Sequence, residues 1–201
     1  VSDGDFLLLC VGSAGTAADV TTPAGWTQVQ KQVSGVATNF VLAVYSRVAA
    51  SEPANYAVTT TSARSAGAMV RVTGSSAVVD ASAADGNGVS ERSDVQCPTI
   101  TLSDTGMHIT FGGQRGGTDG IIVTFTPPAT YTEQEDDSST NVTTGRNGAL
   151  EIAYKAVAAG ATGAQTVTPS IAGNCAGISV GVVQAAGTVV NSFRSGRGGW
   201  W

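Results

Sequence analysis

Apolar and polar residues alternate through almost the whole chain, and the three-to-four-residue recurrence of an amphipathic helix is hard to find in it. Period-two alternation sends successive side chains to opposite faces of a strand, so such a chain must fold by burying sheet faces. Strands are expected at residues 6–11, 26–33, 40–48, 56–60, 66–72, 96–102, 107–112, 121–126, 131–135, 149–157, 165–169 and 176–183. The intervals carry turn chemistry, as in Pro23-Ala24-Gly25, Gly86-Asn87-Gly88, Pro127-Pro128 and Arg146-Asn147-Gly148. So many short strands separated by turns imply an all-β fold, an antiparallel, jelly-roll-like sandwich.

An internal echo organises these strands. Pro23-Ala24-Gly25-Trp26-Thr27, then Leu42-Ala43-Val44-Tyr45, then Ala66-Gly67-Ala68 is followed by Pro128-Ala129-Thr130-Tyr131-Thr132, then Leu150-Glu151-Ile152-Ala153-Tyr154, then Ala176-Gly177-Ile178. Two tandem domains would produce this pattern, and so would one sandwich in which two related sets of strands pack together. The single sandwich is preferred, because each half alone has too few apolar strands to cover both faces. The polar stretch 78–93 is also short for a linker. Residues 1–188 are therefore read as one domain with two pseudo-repeated halves. Residues 189–201 leave strand patterning and form an extended C-terminal arm rich in Gly, Arg and Trp. Trp and Arg anchor interfaces, which makes Phe193, Arg194, Arg197, Trp200 and Trp201 the candidate interface residues.

Only 12% of residues are charged, against about 25% in ordinary globular domains. Such a surface is either coated with Thr, Ser, Asn, Gln and Gly or covered by neighbouring subunits. The net charge of −5 and sequence pI of about 4.6 argue against nucleic acid as a partner. No apolar run reaches the roughly 18 residues of a membrane span, and no signal peptide is visible. Cys10, Cys97 and Cys175 form no paired framework and read as buried apolar residues, with an intermolecular bridge as the alternative.

The chain offers little chemistry. His108 is the only histidine and lies within an expected strand, so it reads as structural. Gly177-Ile178-Ser179-Val180-Gly181 matches the nucleophile-elbow pattern, but alternation runs straight through the supposed turn. Acids gather at Glu133, Glu135, Asp136 and Asp137, and at Asp80, Asp85 and Glu91 around a Gly-rich loop with Asn87; neither set has EF-hand spacing. Both read as solvated loop acids. No cofactor, metal site or catalytic residue is expected. Asn141-Val142-Thr143 is a formal glycosylation sequon, and Arg115-Gly116-Gly117 and Arg197-Gly198-Gly199 are isolated RGG fragments.

Several of these segments, taken together, resemble a known module. Gly4-Asp5-Phe6-Leu7-Leu8, Pro23-Ala24-Gly25-Trp26-Thr27, Val44-Tyr45-Ser46-Arg47, Glu52-Pro53-Ala54-Asn55-Tyr56 and Ala66-Gly67 are similar to a β-sandwich module of bacteriophage tail, fibre and other virion proteins and of bacterial surface or secreted proteins. The resemblance covers most of residues 4–183 and brings no catalytic residues with it. It implies a virion structural protein, a capsid decoration protein or a tail or fibre component, located in the virion and assembling with itself or with other virion proteins. The family pattern has a strand before residues 4–11 that this chain lacks. That departure implies an exposed edge, which a neighbour's terminal segment would fill. The alternatives are a carbohydrate-binding or adhesive module on a bacterial surface, with Trp26, Tyr131 and Tyr154 as sugar-stacking rings and a glycan as partner, or an extracellular filament subunit. Membrane insertion is not expected.

Overall fold

The computed structural model describes residues 1–14, 20–34, 40–53, 55–61, 64–73, 77–86, 91–116, 121–139 and 147–184, and the backbone of 193–196. Among them are strands β1 (Phe6–Ser13), β2 (Thr27–Ser34), β3 (Phe40–Val48), β4 (Ser65–Val72), β5 (Ala77–Gly86), β6 (Val95–Cys97), β7 (Thr101–Leu102), β8 (Gly106–Gly116), β9 (Phe125–Thr126), β10 (Thr132–Ser138), β11 (Gly148–Val157), β12 (Gly160–Ala161), β13 (Gln165–Pro169), β14 (Gly173–Gln184) and β15 (Phe193–Gly196). The fold is all-β and every paired strand is antiparallel.

Two five-stranded sheets form the sandwich, one in the order β15-β4-β1-β3-β2 and the other β10-β11-β8-β14-β5. Their facing sides share one core. Phe6, Leu8 and Cys10 of β1, Phe40, Leu42 and Val44 of β3, and Val70 and Val72 of β4 meet Ile109 and Phe111 of β8, Leu150 and Ile152 of β11, and Ile178, Val180 and Val182 of β14. Burying an aliphatic or aromatic side chain of this size stabilises the fold by about 1.5–3 kcal/mol. The Phe40 ring fills the centre against two glycines: an added Cβ would lie 2.9 Å from it at Gly12 and 2.6 Å from it at Gly113.

Both sheets are covered on their outer faces as well, which explains the unbroken apolar runs of β1 and β3. Leu7, Leu9 and Val11 point away from the shared core and pack with Val41, Ala43, Tyr45, Val20, Trp26, Tyr56 and Val58. The outer face of the second sheet is covered by the small sheet β6-β13-β9 and the pair β12-β7, with Val95, Cys97, Phe125 and Val167 in one cluster and Ile100 and Leu102 in another. A strand buried on both faces needs no polar alternation.

Some expected strands take a different form. The polar stretch read as a connection contains β5, ten residues long and paired to β14. Its small side chains hid it. Residues 56–60 form no strand and contribute one bridge, Val20 to Thr60. The strand expected at 96–102 breaks into β6 and β7 around Pro98, which has no ladder donor. β1 lies between β3 and β4, so both of its edges are paired.

The two large sheets are connected alike. β1, β2, β3 and β4 occupy the order β4-β1-β3-β2, and β8, β10, β11 and β14 occupy β14-β8-β11-β10. The pairing of β2 with β3 is bulged between Gln28 and Gln30, and that of β10 with β11 between Glu133 and Glu135.

Candidate functional site

Ser179 lies in the middle of β14, paired on one side with Ala83 and on the other with Thr110. The chain runs straight through Gly177–Gly181, so no elbow forms. Ser179 is fully buried and its Oγ has no hydrogen-bond partner. It shares the outer face of its sheet with His108, Thr110, Gln114 and Glu151, all fully buried.

His108 does not engage Ser179. Its Nδ1 lies 2.6 Å from the Tyr131 hydroxyl and its Nε2 has no partner. In either tautomer one ring nitrogen remains unsatisfied. Burial lowers its pKa to about 4, so the ring is neutral near pH 7, and burial pushes the Tyr131 hydroxyl up to about 12. The two rings meet edge to face, 5.6 Å apart, and Lys155 Nζ sits 5.8 Å from the Tyr131 centroid. The residues of a serine relay share a sheet face without its hydrogen bonds or access to solvent.

Glu151 is the group that sequence reading missed. Neither carboxylate oxygen accepts a hydrogen bond of proper geometry, although the Gly112 N–H is close enough to favour the anion. Burial, then Glu133 and Asp136, raise its pKa well above the ordinary range. Asp136 is its register partner on edge strand β10 and accepts the Phe125 N–H at 2.9 Å. Burial and the neighbouring acids raise the Asp136 pKa too. In the sequence Glu151 occupies the polar slot of an alternating strand, and nothing local announces the layer that covers it.

The other acidic set is dispersed among protein donors. Asp80 accepts the N–H and hydroxyl of Ser103 at 2.6 and 2.7 Å. Asp85 lies 3.8 Å from Arg92, which holds Asp94 through two hydrogen bonds of 3.1 and 2.9 Å. Asn87 and the sequon Asn141 lie outside the described residues. Among the described residues no group of three or more His, Cys, Asp or Glu could hold a metal ion. Cys10, Cys97 and Cys175 are buried and form no disulfide, which removes the intermolecular bridge from a native surface.

The three rings considered for sugar stacking are not brought together. Trp26 is buried on the outer face of the first sheet, where Tyr56 meets it edge to face at 5.3 Å and the Arg47 guanidinium lies 5.8 Å from its centroid. Arg47 is held in turn by Glu52 at 3.0 Å. Tyr154 packs against the shared core, and Tyr131 packs on His108.

Of the candidate interface residues, Phe193 and Arg194 have a described backbone, in β15. This strand pairs antiparallel with β4, Phe193 opposite Val72 and Gly196 opposite Met69. Part of the segment read as a free arm is thus a strand of the first sheet. Arg197, Trp200 and Trp201 lie outside the described residues. Among the described residues no helix is long and apolar enough to cross a membrane.

Comparison with protein-family models, curated proteins and solved structures finds no match to this chain.

Proposed function

We propose that this chain is a bacteriophage virion structural protein, a capsid decoration protein or a tail or fibre component, that works through contacts with copies of itself and with other virion proteins. The observation that carries the reading is the C-terminal strand: β14 lies in one sheet, and the next strand in the chain, β15, is the edge strand of the other. Residues that reach away from their own sheet, followed by Arg197, Trp200 and Trp201, suit a segment that bridges surfaces. The doubly covered sheets and sparse charge support a mechanical role. The resemblance described in the sequence points to the same class, and the activity proposed is non-catalytic. The described positions of Trp26, Tyr131 and Tyr154 do not favour the sugar-binding alternative.

The test is a variant with Arg197, Trp200 and Trp201 replaced by Ala, which leaves β15 intact. Sedimentation of wild type should show a defined oligomer or polymer, and the variant should show a lower mass at the same protein concentration. Identical assembly of the two proteins would remove the tail residues from the interface.

A further inference from the structure

Two strands occupy reciprocal places in the sandwich. β5 follows β4 in the chain but lies in the other sheet, beside β14; β15 follows β14 but lies beside β4. Each half ends in a strand that completes the sheet of the other half. The ladders are unequal. β5 pairs with β14 from Ala77 opposite Gln184 to Gly86 opposite Ala176, whereas the described ladder of β15 engages only Met69 to Val72. That ladder sets position 194 opposite Arg71 in the backbone register. Arg71 is itself held on β4 by Asp5, whose Oδ2 lies 2.7 Å from its Nε.

We infer that β15 is an exchangeable strand: the C-terminal strand of one molecule takes the place of its counterpart on the β4 edge of a second copy. The inference rests on the assembly reading above and names its partner and its docking edge. A backbone ladder forms equally well with a strand from either chain, because the residues, register and edge are the same. Exchange therefore creates the ladder it breaks, and concentration decides between the two forms. Reciprocal exchange closes a two-fold dimer, and one-way exchange propagates a chain of subunits. The β5 ladder, which runs from Ala77 to Gly86, stays in place and holds the two sheets of each subunit together.

Full-length single variants Arg71→Cys and Arg194→Cys, carrying different mass tags, test this when mixed and mildly oxidised; the native thiols are buried. A disulfide between the two tagged chains, mapped to positions 71 and 194 and increasing with protein concentration, is the expected result. The double variant in one chain should close internally when dilute. Internal closure of the double variant at every concentration, with no mixed disulfide between the single variants, would overturn the exchange, as would a double variant that never closes. Wild-type oligomers without the mixed disulfide would sink the exchange alone. Monomeric wild type would sink the assembly reading as well.

Discussion

Glu151 and His108 lie in the same covered layer and titrate in opposite senses. The folded state holds the Glu151 proton more tightly than an unfolded chain, whose carboxyl titrates near 4.5. Its cost therefore appears as pH rises above that value, growing by about 1.4 kcal/mol per pH unit until the folded pKa is passed. Glu151→Gln should accordingly stabilise the protein at neutral pH and have no such benefit below about pH 4.5, as measured by urea unfolding across a pH series. A constant difference at all pH values would show that Glu151 ionises freely in the fold. For His108 the folded pKa of about 4 lies below the ordinary 6.5. Its contribution is full above pH 6.5 and is lost as pH falls towards 4, so His108→Phe should flatten stability over that window. The two slopes oppose each other between pH 4.5 and 6.5, and single variants reveal what the wild type conceals. The place of His108 in a strand was legible from the alternation around it. The burial of Glu151 was not, because the strands that cover it are distant in sequence.

At the scale of the element, legibility followed side-chain size. β3, with Phe, Val, Leu and Tyr, and β13 have the limits expected from pattern alone. β5, built largely of Ala, Ser and Asp, looked like a connection, because its place is set by the β14 edge rather than by its own apolar content. Its pairing skips a residue at Asp80, whose carboxylate then reaches Ser103. Packing across the sheets is equally specific at Phe40, whose ring leaves no room for a methyl group at Gly113. Gly113→Ala should cost about 1–3 kcal/mol through overpacking, and Phe40→Leu in the same chain should recover part of that loss. Thermal unfolding of the two single variants and the double variant measures the coupling. Additive effects would place Phe40 elsewhere.

At the scale of the whole molecule, the two sheets of the sandwich each pack apolar residues on both faces of their central strands, which suits a chain with many apolar residues and few charges. The sequence showed the strands, their punctuation and the echo between halves. It did not show that segments around Trp26 and Tyr56 roof one sheet, or that β6, β13 and β9 roof the other. These are contacts between residues far apart in the chain, with no local signature. The acidic edge strand β10, with Glu133, Glu135, Asp136 and Asp137, is protected against strand addition by its charge. The β4 edge, with its C-terminal strand, is the proposed place of subunit contact. Light scattering of the wild-type protein over a wide concentration series tests that claim most directly. The account predicts a mass that rises from the 20.1 kDa of one chain to a defined multiple or an open polymer; 20.1 kDa at every concentration would contradict it.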